Sequence, residues 1–256
     1  MTTANPAYTP VAQTKSAALC RVLDALPKGY HYTTAGSCPA GKAVALARKF
    51  HALYGIGCSP AQRMTRKKQG LANALLVMFW PSATLAVADS GLESESVSET
   101  ASETASAFAP EAASEIGATP LPGIQVSWLL LATAGTGPVH ERERLRSALE
   151  MPRLHWLGYE LVRLARRGRA SWTWRRTKQD MADLVALLTE QLNRRQVSAV
   201  AQTLLRISRQ PGFSGVREQS WALYQLARSH GYAGELPFLF YLQKLSHGFP
   251  LRVSGD

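Results

Sequence analysis

The sequence predicts an α+β protein: a mostly antiparallel sheet with flanking helices, a helical C-terminal part and a long disordered insertion. Three observations predict it. Strand-like runs, alternating or continuously apolar, recur at 74–80, 124–133, 154–165 and 170–176, as expected of half-buried and buried strands. Apolar residues at spacings of three and four gather in 177–230, the signature of amphipathic helices. Between them, residues 82–123 shift to Ala, Ser, Glu, Thr and Pro and contain the repeat SETASETAS, a composition that buries too little apolar surface to offset ordering entropy. The expected organisation is a disordered N-terminus at 1–15, a core built from 16–81 and 124–176, a disordered acidic insertion at 82–123, and a helical region at 177–256. An insertion of that length is tolerated inside one domain, because closure entropy grows only logarithmically with loop length.

Each element has a local reason. Residues 16–26 read as a short amphipathic helix ended by Lys28-Gly29, and YHYTTAG as a short strand. Pro39 to Tyr54 predicts a helix with Ala43, Leu46, Phe50 and Leu53 inward and Gly55 as its stop. Ser59-Pro60-Ala61-Gln62 predicts a helix start, with Ser as cap, Pro at N1 and Gln closing a capping box. ALLVMFW is a buried strand ended by Pro81, expected beside 124–133 in one sheet. The uncharged stretch 69–88, with basic residues before it and acids after it, also admits a membrane span, against which stand Asn73, Pro81, Ser82 and Thr84. HERERLRSALE reads as a short charged helix. Thr177 to Asn193, Gln196 to Ser208 and Gly215 to His230 predict three helices, the last capped by Ser214. The tail PFLFYLQKLSHGFPL is expected to pack back on the core.

Charge carries the functional signal. The chain has 29 Lys and Arg against 18 Asp and Glu, a net +11. No Lys or Arg lies between Lys68 and Arg142, an interval that holds eight of the acids; elsewhere 29 basic residues face 10 acidic ones, a formal +19. That balance favours a polyanionic partner, nucleic acid ahead of a membrane surface. Three scattered cysteines without a C-x-x-C pair exclude a zinc finger or ribbon. With no apolar h-region in MTTANPAYTP, they point to reduced thiols and a cytoplasmic protein.

The segment RRGRASWTWRRTKQ is read as one arm of a β-hairpin turning at Arg167-Gly168. Pairing Ala165 with Ala170 sets Arg163 opposite Trp172, Leu161 opposite Trp174, Tyr159 opposite Arg176, and Glu160 opposite Arg175 on the other face. Exposed, the Trp face would be a base-stacking platform edged by guanidinium groups; buried, Trp172 and Trp174 are core. The turn arginines Arg166, Arg167 and Arg169 are expected to be exposed either way. Arg63, Arg66 and Lys67 share a helix face suited to following a phosphate backbone, or to plain solvation. The helices on either side of RQPGFSG admit a helix-turn-helix with Arg217, Gln219 and Ser220 reaching bases, against the plainer reading of a helical hairpin.

No phosphate-binding loop, H-E-x-x-H, dinucleotide fingerprint or G-x-S-x-G occurs. His140, Glu141 and Glu143 are the nearest approach to a metal cluster, but alternate residues on a helix do not share a face. No cofactor is expected and no catalytic residue is assigned. KFHALYGIGCSPAQRMTRKK, YELVRLARRGRASWTWRR and RQPGFSGVREQ resemble uncharacterised accessory proteins of proteobacterial plasmids and integrative conjugative elements. The likeness spans most of the chain apart from 82–123. It implies a setting of DNA maintenance or transfer and carries over no functional residue.

The expectation is therefore a cytoplasmic nucleic-acid-binding protein, DNA ahead of RNA, with a homo-oligomer allowed. It would act through Arg63, Arg66, Lys67, Arg166, Arg167, Arg169, Trp172, Trp174, Arg175 and Arg176. The alternatives are a metal-dependent nuclease or strand-transfer enzyme, and a protein-interaction or membrane-associated factor.

Overall fold

The structure is a computed structural model that describes residues 10–81, 124–166, 169–242 and 249–250; for Pro10, Arg166, Arg169, Phe249 and Pro250 it describes the backbone alone. The chain is α+β. A six-stranded mixed sheet runs in the order β5-β2-β4-β3-β1-β9 and a three-stranded antiparallel sheet in the order β6-β7-β8. The strands are β1 (Pro10–Ala12), β2 (Tyr30–Pro39), β3 (Ala74–Phe79), β4 (Gln125–Thr133), β5 (Arg146–Ser147), β6 (His155–Trp156), β7 (Tyr159–Arg166), β8 (Arg169–Arg176) and β9 (Phe249–Pro250). The α-helices are α1 (Lys15–Ala25), α2 (Ala43–Tyr54), α3 (Pro60–Lys68), α4 (Pro138–Arg142), α5 (Lys178–Asn193), α6 (Val197–Ser208) and α7 (Ser214–Ser229).

β4 is the spine of the large sheet. It pairs antiparallel with β3 on one side, as expected, and with the whole of β2 on the other. Its side chains alternate between two cores, as a period of two requires. Leu129 and Leu131 pack with Val77, Phe79 and α1; Val126, Leu130 and Ala132 pack with Leu76, Met78 and α2. The small sheet closes the first core from the far side, through Trp156, Tyr159, Leu161 and Trp174. The layers are therefore small sheet, α1, large sheet, α2. The third core, centred on Leu188, Leu204, Ile207 and Leu223, holds α5, α6 and α7 together, and α7 also packs along β8.

Several boundaries differ from the sequence reading. Pro10–Ala12, inside the stretch expected to be disordered, is a strand parallel to β3, and α1 starts at Lys15 with Thr14 as its cap. β2 continues through Pro39, and a 3-10 turn at Ala40–Lys42 delays α2 to Ala43. The helix expected over HERERLRSALE is confined to Pro138–Arg142; the chain then extends, and Arg146–Ser147 adds to the edge of β2. The run 154–165 is broken by a two-residue turn in which Leu157 and Gly158 both take positive φ, 52° and 85°, the backbone that matches the twist of a hairpin. Ser214 is the first residue of α7, not its cap; Phe213 takes the cap position and the Ser214 hydroxyl donates to Thr173 Oγ1 at 3.0 Å. The capping box of α3 and the stop at Gly55 form as expected. No helix among the described residues is long and apolar enough to cross a membrane, and Ala74–Phe79 of the uncharged stretch is a buried sheet strand. The expected insertion at 82–123 lies outside the described residues.

Candidate nucleic-acid interface

The hairpin register is the one read from the sequence: Arg163 opposite Trp172, Leu161 opposite Trp174, Tyr159 opposite Arg176, Glu160 opposite Arg175, with Arg166 and Arg169 closing it. The face carrying the two tryptophans is core. Trp174 is fully buried and its Nε1 donates to the carbonyl of Leu19 on α1 at 3.0 Å. Burial of an indole this complete contributes about 4–6 kcal/mol by area, far more than a stacking contact at the surface. Trp172 is half-buried against the same core, with the Arg163 guanidinium 5.8 Å from its ring centre. A base-stacking platform on this face is thereby overturned.

Arg176 is a structural arginine. It is 2% exposed; its Nε donates to Gln210 Oε1 at 2.6 Å, Nη1 to the Val216 carbonyl at 3.1 Å and Nη2 to Ser220 Oγ at 2.8 Å. Burial pushes its pKa down to about 10. Its backbone is clamped as well: the Arg176 N–H donates to Gln219 Oε1 at 2.7 Å and Gln219 Nε2 donates to the Arg176 carbonyl at 3.1 Å. One amide side chain thus does for edge strand β8 what a further strand would do. This removes the helix-turn-helix reading: Gln219 and Ser220 are spent on β8, and Arg217 lies 3.5 Å over the Tyr241 ring. Arg175 forms an ion pair with buried Glu160, which Arg153 also reaches at 3.3 Å.

The α3 arginines are likewise turned inward. Arg63 donates from Nε to the Cys58 carbonyl at 2.9 Å, from Nη1 to Tyr30 Oη at 2.7 Å and from Nη2 to the Ile56 carbonyl at 2.8 Å. Arg66 Nη2 donates to the Ala72 carbonyl at 2.8 Å. Both fasten α3 to the loop before it and to the start of β3. Of that predicted phosphate-tracking trio, Lys67 alone is exposed. The side chains of Arg166 and Arg169, and the whole of Arg167, lie outside the described residues.

The cations that do face water lie elsewhere. Residues 25–81 contain eight Lys or Arg and no Asp or Glu. Lys28, Lys42, Arg48, Lys49, Lys67 and Lys68 are exposed; only Arg63 and Arg66 turn inward. Lys42, Arg48 and Lys49 project from α2 and its lead-in because Ala43, Ala47, Phe50 and Tyr54 occupy the opposite, buried stripe. α4 packs against α2 and adds Arg142 and, just beyond it, Arg144. The neighbouring Glu143 is occupied as the acceptor of the Tyr54 hydroxyl at 2.5 Å. Burial, reinforced by that bond, pushes the Tyr54 phenol up to about 12. Glu141, on α4, is exposed as well. The sequence signal that could have found this surface is the acid-free interval; helical periodicity put Arg48 and Lys49 outside the core without assigning them a role.

The remaining candidate chemistry disperses. His140 Nε2 sits 2.8 Å from the Thr133 carbonyl with its ring edge-on to Tyr32, Glu143 serves Tyr54, and Glu141 points to solvent. Among the described residues no three His, Cys, Asp or Glu side chains converge as metal ligands would. Comparison with known proteins finds no matching family model, no matching curated protein and no matching solved structure.

Proposed function

We propose that this chain is a nucleic-acid-binding accessory protein, DNA ahead of RNA, that holds the phosphate backbone with the α2–α3 surface. The observation that carries the reading is the acid-free interval 25–81, with six of its eight cationic side chains exposed. Such a surface binds by releasing condensed counterions, so affinity falls steeply with salt and depends weakly on sequence. The resemblance of three blocks to accessory proteins of plasmids and conjugative elements supports a role in element maintenance, replication or transfer. Arg63 and Arg66 serve this surface indirectly, by fixing α3 so that Lys67 and Lys68 face outward.

The test is a fluorescence-anisotropy titration of labelled duplex DNA across a salt series. The double variant Arg48→Ala/Lys49→Ala is expected to lower the slope of log affinity against log salt by about 1.8, near 0.9 for each phosphate that is no longer neutralised. Lys178→Ala, on α5, is expected to leave the slope unchanged. Absence of DNA and RNA retention at low salt would sink the reading; an unaltered slope in the double variant would move the interface off α2.

A further inference from the structure

The segment from Leu236 to Leu242 exposes aromatic rings that the core does not use. After α7 the chain doubles back along that helix. Leu236 and Leu239 turn into the helical core and Leu242 into the first core, while Phe238, Phe240 and Tyr241 face water. Gly212 accommodates the return, since a Cβ there would collide with the Phe240 carbonyl oxygen. On α7, Trp221 faces outward beside Leu239, and Ser214, Arg217, Glu218, Trp221 and Leu239 line a groove of about 330 Å³. The four rings are each 54–67% exposed. Phe238 and Phe240 meet edge to face, their centres 5.1 Å apart.

Cations are interleaved with these rings. Arg217, Trp221 and Arg228 share one face of α7 at spacings of four and seven. The Arg217 guanidinium lies 3.5 Å over Tyr241 and that of Arg228 5.8 Å from Tyr232. Arg217 Nε is buried without a hydrogen-bond partner. Glu218 is the one acid on the helix. Arg228 Nη1 donates to the Tyr232 carbonyl at 2.6 Å, but a purely apolar partner would cover the rings and leave the remaining donors of both guanidinium groups, the Arg217 Nε among them, desolvated without partners. A single-stranded nucleic acid supplies what both groups want: π-faces for the rings and phosphates for the arginines. A duplex hides its base faces.

We propose that the Trp221–Phe238–Phe240–Tyr241 face, edged by Arg217 and Arg228, is a stacking site for single-stranded nucleic acid. It is separate from the α2–α3 surface, and it rests on the nucleic-acid reading only for the class of partner. The strand stacks bases on the exposed rings and runs its phosphates past the two arginines.

The experiment uses the full chain, a labelled oligothymidylate of about 16 nucleotides, enough for one site, and a duplex of the same length. Trp221→Ala and Phe238→Ala are each expected to weaken oligothymidylate binding about tenfold, with duplex binding and the salt slope unchanged. Trp221→Leu, which keeps apolar bulk but has no π-face, is expected to behave like Trp221→Ala, and Trp221→Phe to retain most of the affinity. Leu binding as well as Trp would overturn stacking. Wild-type affinity in all four variants would overturn the site. Loss of self-association by light scattering, with oligothymidylate binding intact, would also overturn it and assign the face to a second copy of the chain. If wild type binds neither probe, the α2–α3 reading falls too; duplex binding without oligothymidylate binding defeats this proposal alone.

Discussion

Replacing Arg176 by Met separates a structural arginine from a nucleic-acid contact. Met keeps the length and fills the channel without charge. Three charge-assisted hydrogen bonds disappear, to Gln210, Val216 and Ser220, each worth about 1.5–3 kcal/mol. Two of the acceptors recover. Gln210 is half-buried and rehydrates, and the Ser220 hydroxyl already donates to the Val216 carbonyl at 2.9 Å. The guanidinium's own desolvation, which lowers its pKa to about 10, is also relieved. The net loss is about 2–4 kcal/mol, which for a chain of this size lowers Tm by about 5–15 °C. Arg176→Lys is expected to lose at least as much, because an ammonium carries the charge into the same channel without the planar fork. Urea and thermal melts followed by circular dichroism measure both variants, and anisotropy below the melting range measures DNA binding. A Met variant as stable as wild type refutes the reasoning. So does one whose DNA affinity drops while its stability holds, since Arg176 would then touch the nucleic acid.

Two further outcomes follow from local geometry. The Tyr54 phenol is held up to about 12, against 10 when free, first by burial and then by its bond to Glu143. The folded state therefore keeps that proton longer than the unfolded chain does. The associated stabilisation is complete below pH 10 and drains away as pH rises toward 12. The stability difference between wild type and Tyr54→Phe should shrink across that window in urea melts; a constant difference would show that the phenol proton is not the source. At Gly215, an added Cβ would stand 2.6 Å from the Trp174 carbonyl oxygen and 3.1 Å from Arg175 Cβ. Gly215→Ala should push α7 off β8, cost about 1–3 kcal/mol, and open the Gln219 clamp. Hydrogen exchange at the Arg176 amide reads this directly, and unchanged protection there would exclude it.

The hairpin was legible because strand pairing is a local problem. Once Ala165 meets Ala170, a period of two places every partner out to Tyr159 and Arg176, and a slip of one residue would set Glu160 among the tryptophans. The Leu157-Gly158 turn was not legible. A leucine at φ 52° is a conformation that neither propensity nor periodicity announces. α4 was overextended for a related reason: HERERLRSALE is rich in helix formers, but pairing with β2 draws Arg146–Ser147 into the sheet, and tertiary contact overrides propensity.

The arginines expose the deeper limit of the sequence reading. An arginine on a strand or helix face can point at phosphate or at carbonyl, and the choice is made by residues far along the chain. Tyr30 lies 33 positions before Arg63; Gln210 and Ser220 lie 34 and 44 positions after Arg176. Periodicity says which side of an element a guanidinium leaves from, not what waits there. Lysines were the safer guide. An ammonium forms no planar fork and is strongly hydrated, so Lys42, Lys49, Lys67 and Lys68 stay in water while Arg63, Arg66 and Arg176 are drawn into the structure. The absence of acids was the other guide. A basic residue among carboxylates is accounted for by its neighbours, whereas an interval with none offers its exposed cations no carboxylate within the same segment. Arg175, so prominent in the sequence, meets Glu160; Arg48 and Lys49 lie in an interval without an acid.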